Sequence, residues 1–147
     1  MDEKNYDTLK LRNQVCFPLY AASRYIIKTY TPYLDELGLT YTQYIAMMVL
    51  WEEREITSKE LGETLFLDSG TLTPLLKKLE EKGFLTRKRA PQDERNLLVT
   101  VTEKGMRLRE RAVAVPQRMA KCVSLSPEEG AELYRLLYRI LGEERYQ

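Results

Sequence analysis

The sequence feature that constrains the fold most is a pair of short helices separated by a three-residue link. Thr57 and Glu60 form a capping box, in which each side chain satisfies a free N–H group at the start of a helix, and predict a helix over about 58–65. After the link at 66–68, a second helix begins at Asp68 or Ser69 and ends at Lys82-Gly83, where the glycine supplies a stop. Two helices joined so closely predict a helix-turn-helix.

A β-hairpin is predicted directly after this helix pair. The β-prone runs 84–87 and 97–101 flank the polar, turn-rich segment 90–96. A helix-turn-helix followed by such a hairpin predicts a mainly α fold with a small β-wing, which is the winged helix-turn-helix class.

The flanking helices are predicted from apolar periodicity and from further capping boxes at Thr40 and Ser126. The first helix carries a stripe for burial and should bend at Pro18, and the fifth should kink at Pro116. The stripe consists of Leu11, Val15, Leu19, Ala22 and Ile26, and the helices span about 7–33, 41–53, 103–121 and 127–144.

Positive charge is concentrated in the second helix of the helix-turn-helix and in the hairpin that follows it. The whole chain has a net charge of +1, whereas residues 77–95 contain seven basic and four acidic residues. Such a local patch is typical of DNA binding, since phosphate contacts dominate affinity, although a solvated helix face has the same pattern. The candidate DNA-binding residues are Asp68, Ser69, Gly70, Thr71, Thr73, Lys77, Lys78, Arg87, Lys88, Asp93 and Arg95.

Several functional classes are disfavoured by composition. The chain contains no histidine, and its two cysteines are 106 residues apart, so histidine-dependent triads and the usual zinc motifs are absent. We therefore expect no enzyme activity, no metal and no cofactor. No apolar run reaches the roughly 18 residues that a membrane span needs, and the N-terminus is polar, so a cytoplasmic protein without a membrane partner is expected.

The segment LDSGTLTPLLKKLEEKGFLTRKRAPQDERNLLVTVTEKG resembles the DNA-binding core of the MarR family of regulators, whose D-x-R wing motif matches Asp93-Glu94-Arg95. The resemblance implies a homodimer that binds a palindromic double-stranded DNA operator. It implies one domain over 1–147, with a DNA-binding lobe at about 40–102 and dimerisation helices at about 7–36 and 103–145.

The first helix is similar to the OhrR branch of that family, which senses organic hydroperoxides. The similarity lies in Cys16 within N-Q-x-C-F, Tyr30 before T-P, and Tyr41 within L-T-Y-x-Q-Y. It implies that Cys16 reacts with an organic hydroperoxide, that Tyr30 and Tyr41 hydrogen-bond to it, and that oxidation releases the operator. Reaction requires the thiolate, which Arg12 and Tyr20, each one helical turn from Cys16, are placed to favour.

Helix geometry adds one inference to this resemblance. Cys16 and Tyr30 are 14 residues apart, so a rise of about 1.5 Å per residue separates them by roughly 21 Å on one helix. A tyrosine hydroxyl does not reach that far. A contact between them must therefore join two subunits.

Cys122 has two interpretations. By resemblance to OhrR proteins with a second cysteine, it resolves oxidised Cys16 as an inter-subunit disulfide; alternatively it packs in the dimer core, and a low-molecular-weight thiol reacts with Cys16 instead.

Three alternatives to the peroxide sensor remain open. The first is a MarR-type repressor released by a phenolic or drug-like ligand, with Cys16 incidental. The second is a thiol peroxidase, and the third is an architectural DNA binder.

Overall fold

The computed structural model describes residues 4–142, apart from the side chains of residues 93–95. Two 3₁₀ turns, Asp7–Leu9 and Leu11–Asn13, precede the first α-helix. The elements that follow are α1 (Cys16–Asp35), α2 (Tyr41–Glu53), β1 (Glu55–Thr57), α3 (Ser58–Leu65), α4 (Ser69–Glu81), β2 (Leu85–Ala90), β3 (Asp93–Val101), α5 (Glu103–Ala112), α6 (Ala114–Ala120) and α7 (Pro127–Ile140).

The chain forms two compact units, Met1–Val115 and Pro116–Gln147. In the first unit, the core lies where α2, α3, α4 and the sheet meet. Its most deeply buried side chains include Met47, Leu50, Leu61, Leu76 and Leu79. The predicted single domain is not tested by this division and stays a prediction. Among residues 4–142, no helix combines the length and apolarity needed to cross a membrane.

The three predicted capping boxes are confirmed. The side chains of Thr40, Thr57 and Ser126 each accept a hydrogen bond from the backbone three residues later, and the side chain at that later position accepts one in return. Helices α2, α3 and α4 begin and end within one residue of the predicted bounds. Local capping therefore fixes the frame of the DNA-binding lobe.

The prediction of one continuous helix over about 7–33 is wrong at its start. Residues 7–13 form two 3₁₀ turns, Gln14 is extended, and α1 begins only at Cys16. Pro18 consequently lies in the first turn of α1, where its missing N–H breaks no bond, and the predicted bend there is also wrong. The proline inside α1 is Pro32.

The prediction of one helix over about 103–121 is wrong as well. The chain breaks at Val113 into α5 and α6, and Pro116 falls in the first turn of α6. Proline is tolerated there, so the helix is interrupted before it and not kinked at it. The last helix ends at Ile140, and the final residues of its predicted range lie outside the described part of the chain.

The wing is a three-stranded antiparallel sheet in the order β1-β3-β2. The two predicted strands are confirmed and longer than expected, with Leu85 opposite Val101 and Arg89 opposite Leu97. Sequence analysis missed β1, whose Ile56 pairs with Val99. A three-residue strand between two helices leaves little alternation to detect.

The apolar stripe predicted for burial on the first helix is exposed in this chain. Val15 is 82% exposed, and Leu11 and Leu19 are exposed too. Ala22 is also exposed, and Ile26 is half-buried. An exposed apolar face on a long helix is typical of a surface that is covered by another molecule.

The end of α1 is closed by a Schellman turn. Leu39 N donates to Leu34 O at 3.1 Å, and Gly38 N donates to Asp35 O at 3.0 Å. Gly38 has φ +67°, the left-handed conformation that the motif requires. Leu34, Leu37 and Leu39 are buried, so this turn is anchored in the core.

Candidate functional site

The helix-turn-helix depends on a close approach between α3 and α4. A Cβ atom at Gly62 would lie 2.9 Å from Leu67 O and 3.4 Å from a methyl carbon of Leu72. Leu67 N donates back to Gly62 O at 2.9 Å, and Phe66 takes the left-handed conformation at the turn. Sequence analysis missed Gly62, although a glycine inside a short capped helix is the signal for such packing.

Helix α4 separates into a buried face and an exposed face. Leu72, Leu75, Leu76 and Leu79 face the core. The exposed residues begin at the N-terminal end of the helix and include most of the predicted DNA-binding positions: Ser69, Gly70, Thr71, Thr73, Lys77 and Lys78. The structure thus brings these residues together on one surface, with small side chains at the helix N-terminus and lysines further along.

Asp68 has a defined structural task at this surface. Its Oδ1 accepts a hydrogen bond from Thr71 N at 2.7 Å and so caps α4. A carboxylate at this position also complements the positive end of the helix dipole. Asp68 therefore sets the direction of the exposed N-terminal turn.

Arg87 joins the wing to α4. Glu80 accepts hydrogen bonds from Arg87 N at 2.8 Å and from Arg87 Nη2 at 3.1 Å. These bonds hold the pKa of the Glu80 carboxyl below its usual range. The Arg87 side chain is only 18% exposed, so this ion pair fixes the wing beside α4.

The rest of the wing presents charge to the solvent. Lys88 and Arg89 are exposed on β2, before a bulge between Arg89 and Ala90. At the base, Asn96 Oδ1 accepts from Ser58 Oγ at 3.1 Å, which ties β3 to α3. The side chains of Asp93 and Arg95, predicted for the wing tip, lie outside the described part of the chain.

A cluster of aromatic rings joins α1 to α2. The ring centroids of Tyr30 and Tyr41 are 5.0 Å apart, and those of Tyr30 and Tyr44 are 5.8 Å apart. Trp51 continues the cluster from Tyr44, and its Nε1 donates to Gly105 O at 2.8 Å. Two of the predicted sensor residues, Tyr30 and Tyr41, are therefore neighbours.

The phenol groups of this cluster stay protonated well beyond neutral pH. Burial raises the pKa of Tyr30 and of Tyr41, and Tyr41 raises that of Tyr30 further. Burial, with Tyr30 and Tyr41 beside it, raises the pKa of Tyr44 to about 12. Tyr30 and Tyr41, which are half-buried, therefore keep their O–H groups and can donate hydrogen bonds to an anion.

Cys16 lies at the first residue of α1 and is exposed. It shares one uninterrupted helix with Tyr30, so the separation of roughly 21 Å along the axis stands. Tyr20 remains one turn from Cys16 and accepts a hydrogen bond from Arg24 Nη1 at 3.1 Å. Arg12, in contrast, lies on a 3₁₀ turn before α1, so its predicted helical spacing from Cys16 is wrong.

Cys122 follows α6 in the second compact unit and is half-buried. Its Sγ donates to Arg118 O at 3.4 Å. Among the residues that the structure describes, no group of three or more histidine, cysteine, aspartate or glutamate residues could hold a metal ion.

A helix-turn-helix whose second helix exposes small polar residues and two lysines, together with a β-wing fixed beside it, defines the class of the protein as a winged helix-turn-helix, DNA-binding transcriptional regulator. The family model described as transcriptional regulator SarA/Rot matches residues 28–111.

Comparison with individual proteins agrees with this class. The chain is 48% identical over 139 residues to the organic hydroperoxide resistance transcriptional regulator of Bacillus subtilis (strain 168), and the match covers 95% of each. It is 44% identical over 132 residues to the HTH-type transcriptional regulator SarZ of Staphylococcus haemolyticus (strain JCSC1435), covering 90% of each. Overoxidized AbfR bound to DNA has a similar structure, with a TM-score of 0.75, 36% identity, and coverage of 92% of this chain and 96% of that one.

The chain belongs to the MarR family of transcriptional regulators, in the branch of OhrR-type proteins. Because these relatives are regulators, the expectation that the chain is not an enzyme is confirmed.

Proposed function

We propose that the protein is a repressor that binds a palindromic operator as a homodimer and releases it when an organic hydroperoxide oxidises Cys16. The observation that carries this proposal is the arrangement along α1. An exposed thiol begins the helix, and towards its other end the protonated phenol of Tyr30 lies beside that of Tyr41 on α2. Identity to a relative named for organic hydroperoxide resistance, and likeness to AbfR in an overoxidized form, support a redox signal.

The exposed surface of α4 and the wing supports the DNA-binding half of the proposal. Serine, glycine and threonine at the start of α4 permit close approach to the major groove, and Lys77 and Lys78 are positioned for phosphates. The exposed apolar face of α1 supports the dimer, since Phe17 and Leu19 would be buried by a second copy.

The chemical step is a two-electron oxidation of sulfur. The Cys16 thiolate attacks the terminal oxygen of the hydroperoxide, the O–O bond breaks, and the alkoxide leaves and takes a proton from water. Sulfur becomes a sulfenic acid, and the hydroperoxide is reduced to an alcohol. Tyr30 and Tyr41 of the other subunit donate hydrogen bonds to the thiolate before the attack.

Operator binding by the wild type and by Cys16→Ser, each with and without an organic hydroperoxide, tests this function. The wild type is expected to lose at least ten-fold in affinity on oxidation, whereas Cys16→Ser keeps its affinity because it has no thiol to oxidise at position 16.

Release of the operator by Cys16→Ser on hydroperoxide treatment would contradict the proposal and favour the phenolic or drug-like ligand. Turnover of hydroperoxide with a thiol reductant at enzyme-like rates would favour a peroxidase instead. Equal binding to unrelated sequences, with no redox response, would favour an architectural role.

We further propose that Cys122 resolves the sulfenic acid. Its thiol attacks the oxidised sulfur of Cys16, a disulfide forms between subunits, and the hydroxyl leaves as water. Non-reducing electrophoresis after mild hydroperoxide treatment should show a covalent dimer in the wild type and none in Cys122→Ser. A wild type that stays monomeric on the gel would contradict this role and leave an external low-molecular-weight thiol as the resolving partner.

A further inference from the structure

The C-terminal end of α4 is tied to the connection between α1 and α2 by one side chain. Lys82, the residue directly after α4, donates through Nζ to the carbonyl oxygen of Gly38. The same Nζ donates to Gln43 Oε1 at 3.1 Å. Lys82 therefore contacts both the turn that ends α1 and the first turn of α2.

Both acceptors are held in place by the backbone. Gly38 is the left-handed residue of the Schellman turn, so the direction of its carbonyl is fixed. Gln43 is only 4% exposed, and its Oε1 also accepts from Thr40 N at 3.1 Å as part of the capping box of α2. A hydrogen bond from an ammonium group to such preorganised oxygens is stronger than one between neutral groups.

A second cationic side chain, on another helix, hydrogen-bonds to the turn that ends α1. Arg111 of α5 donates through Nη2 to the carbonyl oxygen of Glu36. In addition, Lys104 of α5 donates through Nζ to Lys82 O at 2.9 Å. The end of α1, the end of α4 and α5 thus form one hydrogen-bonded joint within the first compact unit.

This joint lies at the opposite end of α4 from Ser69, Gly70 and Thr71, the small residues proposed to approach the major groove. Helix α4 has 13 residues and is therefore about 20 Å long. A tilt of about 10° imposed at its C-terminal end would move its N-terminal end by about 3 Å over that length. A displacement of that size removes hydrogen bonds to base edges, which tolerate only a few tenths of an ångström.

We infer that Lys82 is a positioning residue that transmits a change at the sensor helix α1 to the DNA-reading helix α4. The inference rests on the proposed function, since it supplies the mechanical link between oxidation of Cys16 and release of the operator. Lys82 itself is exposed, so its side chain is not needed to fill the core. Substitution of Lys82 should therefore change the coupling between α1 and α4 without unfolding the protein.

Lys82→Met tests this coupling, because methionine keeps most of the side-chain volume and removes the donors. We expect the ratio of the operator Kd of oxidised protein to that of reduced protein to fall at least ten-fold relative to the wild-type ratio. The rate of sulfenic acid formation at Cys16, followed by mass spectrometry, should not change. Lys82→Arg should restore most of the wild-type ratio, since a guanidinium also supplies charged N–H donors.

Lys28→Met is the matched control. Lys28 is an exposed lysine on α1 whose side chain makes no hydrogen bond or ion pair with residues 4–142, so its loss removes the same charge without touching the joint. A wild-type ratio in Lys82→Met, or an equal fall in Lys28→Met, overturns the inference and leaves the proposed function intact. A wild-type protein that does not respond to hydroperoxide overturns the proposed function and the inference with it.

If Lys82→Met does not bind DNA even when reduced, the ratio of Kd values has no meaning for this variant. Amide hydrogen exchange then tests the joint directly. Faster amide exchange over residues 36–43 in this variant, with wild-type exchange over residues 44–53 of α2 and in α3, supports the joint. Unchanged exchange over residues 36–43 overturns it.

Discussion

Tyr30→Phe is expected to slow the oxidation of Cys16 by an organic hydroperoxide about ten-fold to a hundred-fold. Hydrogen bonds to charged groups contribute about 1.5–3 kcal/mol, and each 1.4 kcal/mol is a factor of ten in rate. The substitution keeps the ring, which packs against Tyr41 and Tyr44, and removes only the hydroxyl. Stopped-flow measurement of thiol loss under pseudo-first-order conditions gives the rate.

Tyr25→Phe serves as the control for that experiment. Tyr25 lies on the same helix, is 64% exposed, and is outside the aromatic cluster. Its loss of a hydroxyl should leave the oxidation rate within about two-fold of wild type, since a surface substitution changes energies by no more than about 0.5 kcal/mol. Equal rates for wild type and Tyr30→Phe would remove Tyr30 from the proposed sensor.

Gly105→Ala is expected to lower the free energy of unfolding by about 3 kcal/mol, the upper part of the range for overpacked sites. A Cβ atom at Gly105 would lie 2.2 Å from Phe84 O and 2.9 Å from Val101 Cγ2. Phe84 O cannot easily retreat, because it accepts a hydrogen bond from Thr102 N at 3.0 Å. The strain falls on the contact between α5 and the sheet. Trp51 Nε1 donates its hydrogen bond to Gly105 O at the same place.

Gly130→Ala is the matched control for this stability measurement. Gly130 lies within α7, and a Cβ atom there would meet no atom within 4 Å. Alanine is the better helix former by about 1 kcal/mol, so this variant should be at least as stable as the wild type. Urea denaturation of both variants gives the comparison. A Gly105→Ala midpoint equal to the wild-type midpoint would contradict the packing described for α5.

The helices of the DNA-binding lobe were predictable because local interactions specify them. The capping boxes at Thr40 and Thr57 depend on residues three positions apart, and the stop at Gly83 depends on backbone conformation alone. Sequence reasoning failed at residues 7–15, where apolar periodicity continued across the start of α1, and at Val113, where the predicted helix over about 103–121 breaks. Periodicity records which face is apolar, not whether the backbone is continuous.

Contacts between distant residues were not predictable. The sequence placed Arg87 among the DNA-binding residues, but nothing in it showed that Glu80 holds its guanidinium. Nothing in the sequence showed that the carbonyl oxygen of Gly105 accepts a hydrogen bond from Trp51, which lies 54 positions earlier. The bond from Lys82 to Gly38 depends on the fold bringing together residues 44 positions apart.

The separation of Cys16 from Tyr30 was predictable from the sequence, because both residues lie on a single helix whose rise is known. That arithmetic leads to the central claim, which is that each sensor combines the thiol of one subunit with the tyrosines of the other.

Mixed dimers of one Cys16→Ser subunit and one Tyr30→Phe subunit test that claim most directly. Such a dimer, purified through two different tags, has a single Cys16, carried by the Tyr30→Phe subunit. If the site is shared, this thiol meets the intact Tyr30 of the other subunit and oxidises at the wild-type rate per thiol. If thiol and tyrosine act within one subunit, it oxidises as slowly as the Tyr30→Phe homodimer, and the shared sensor is contradicted.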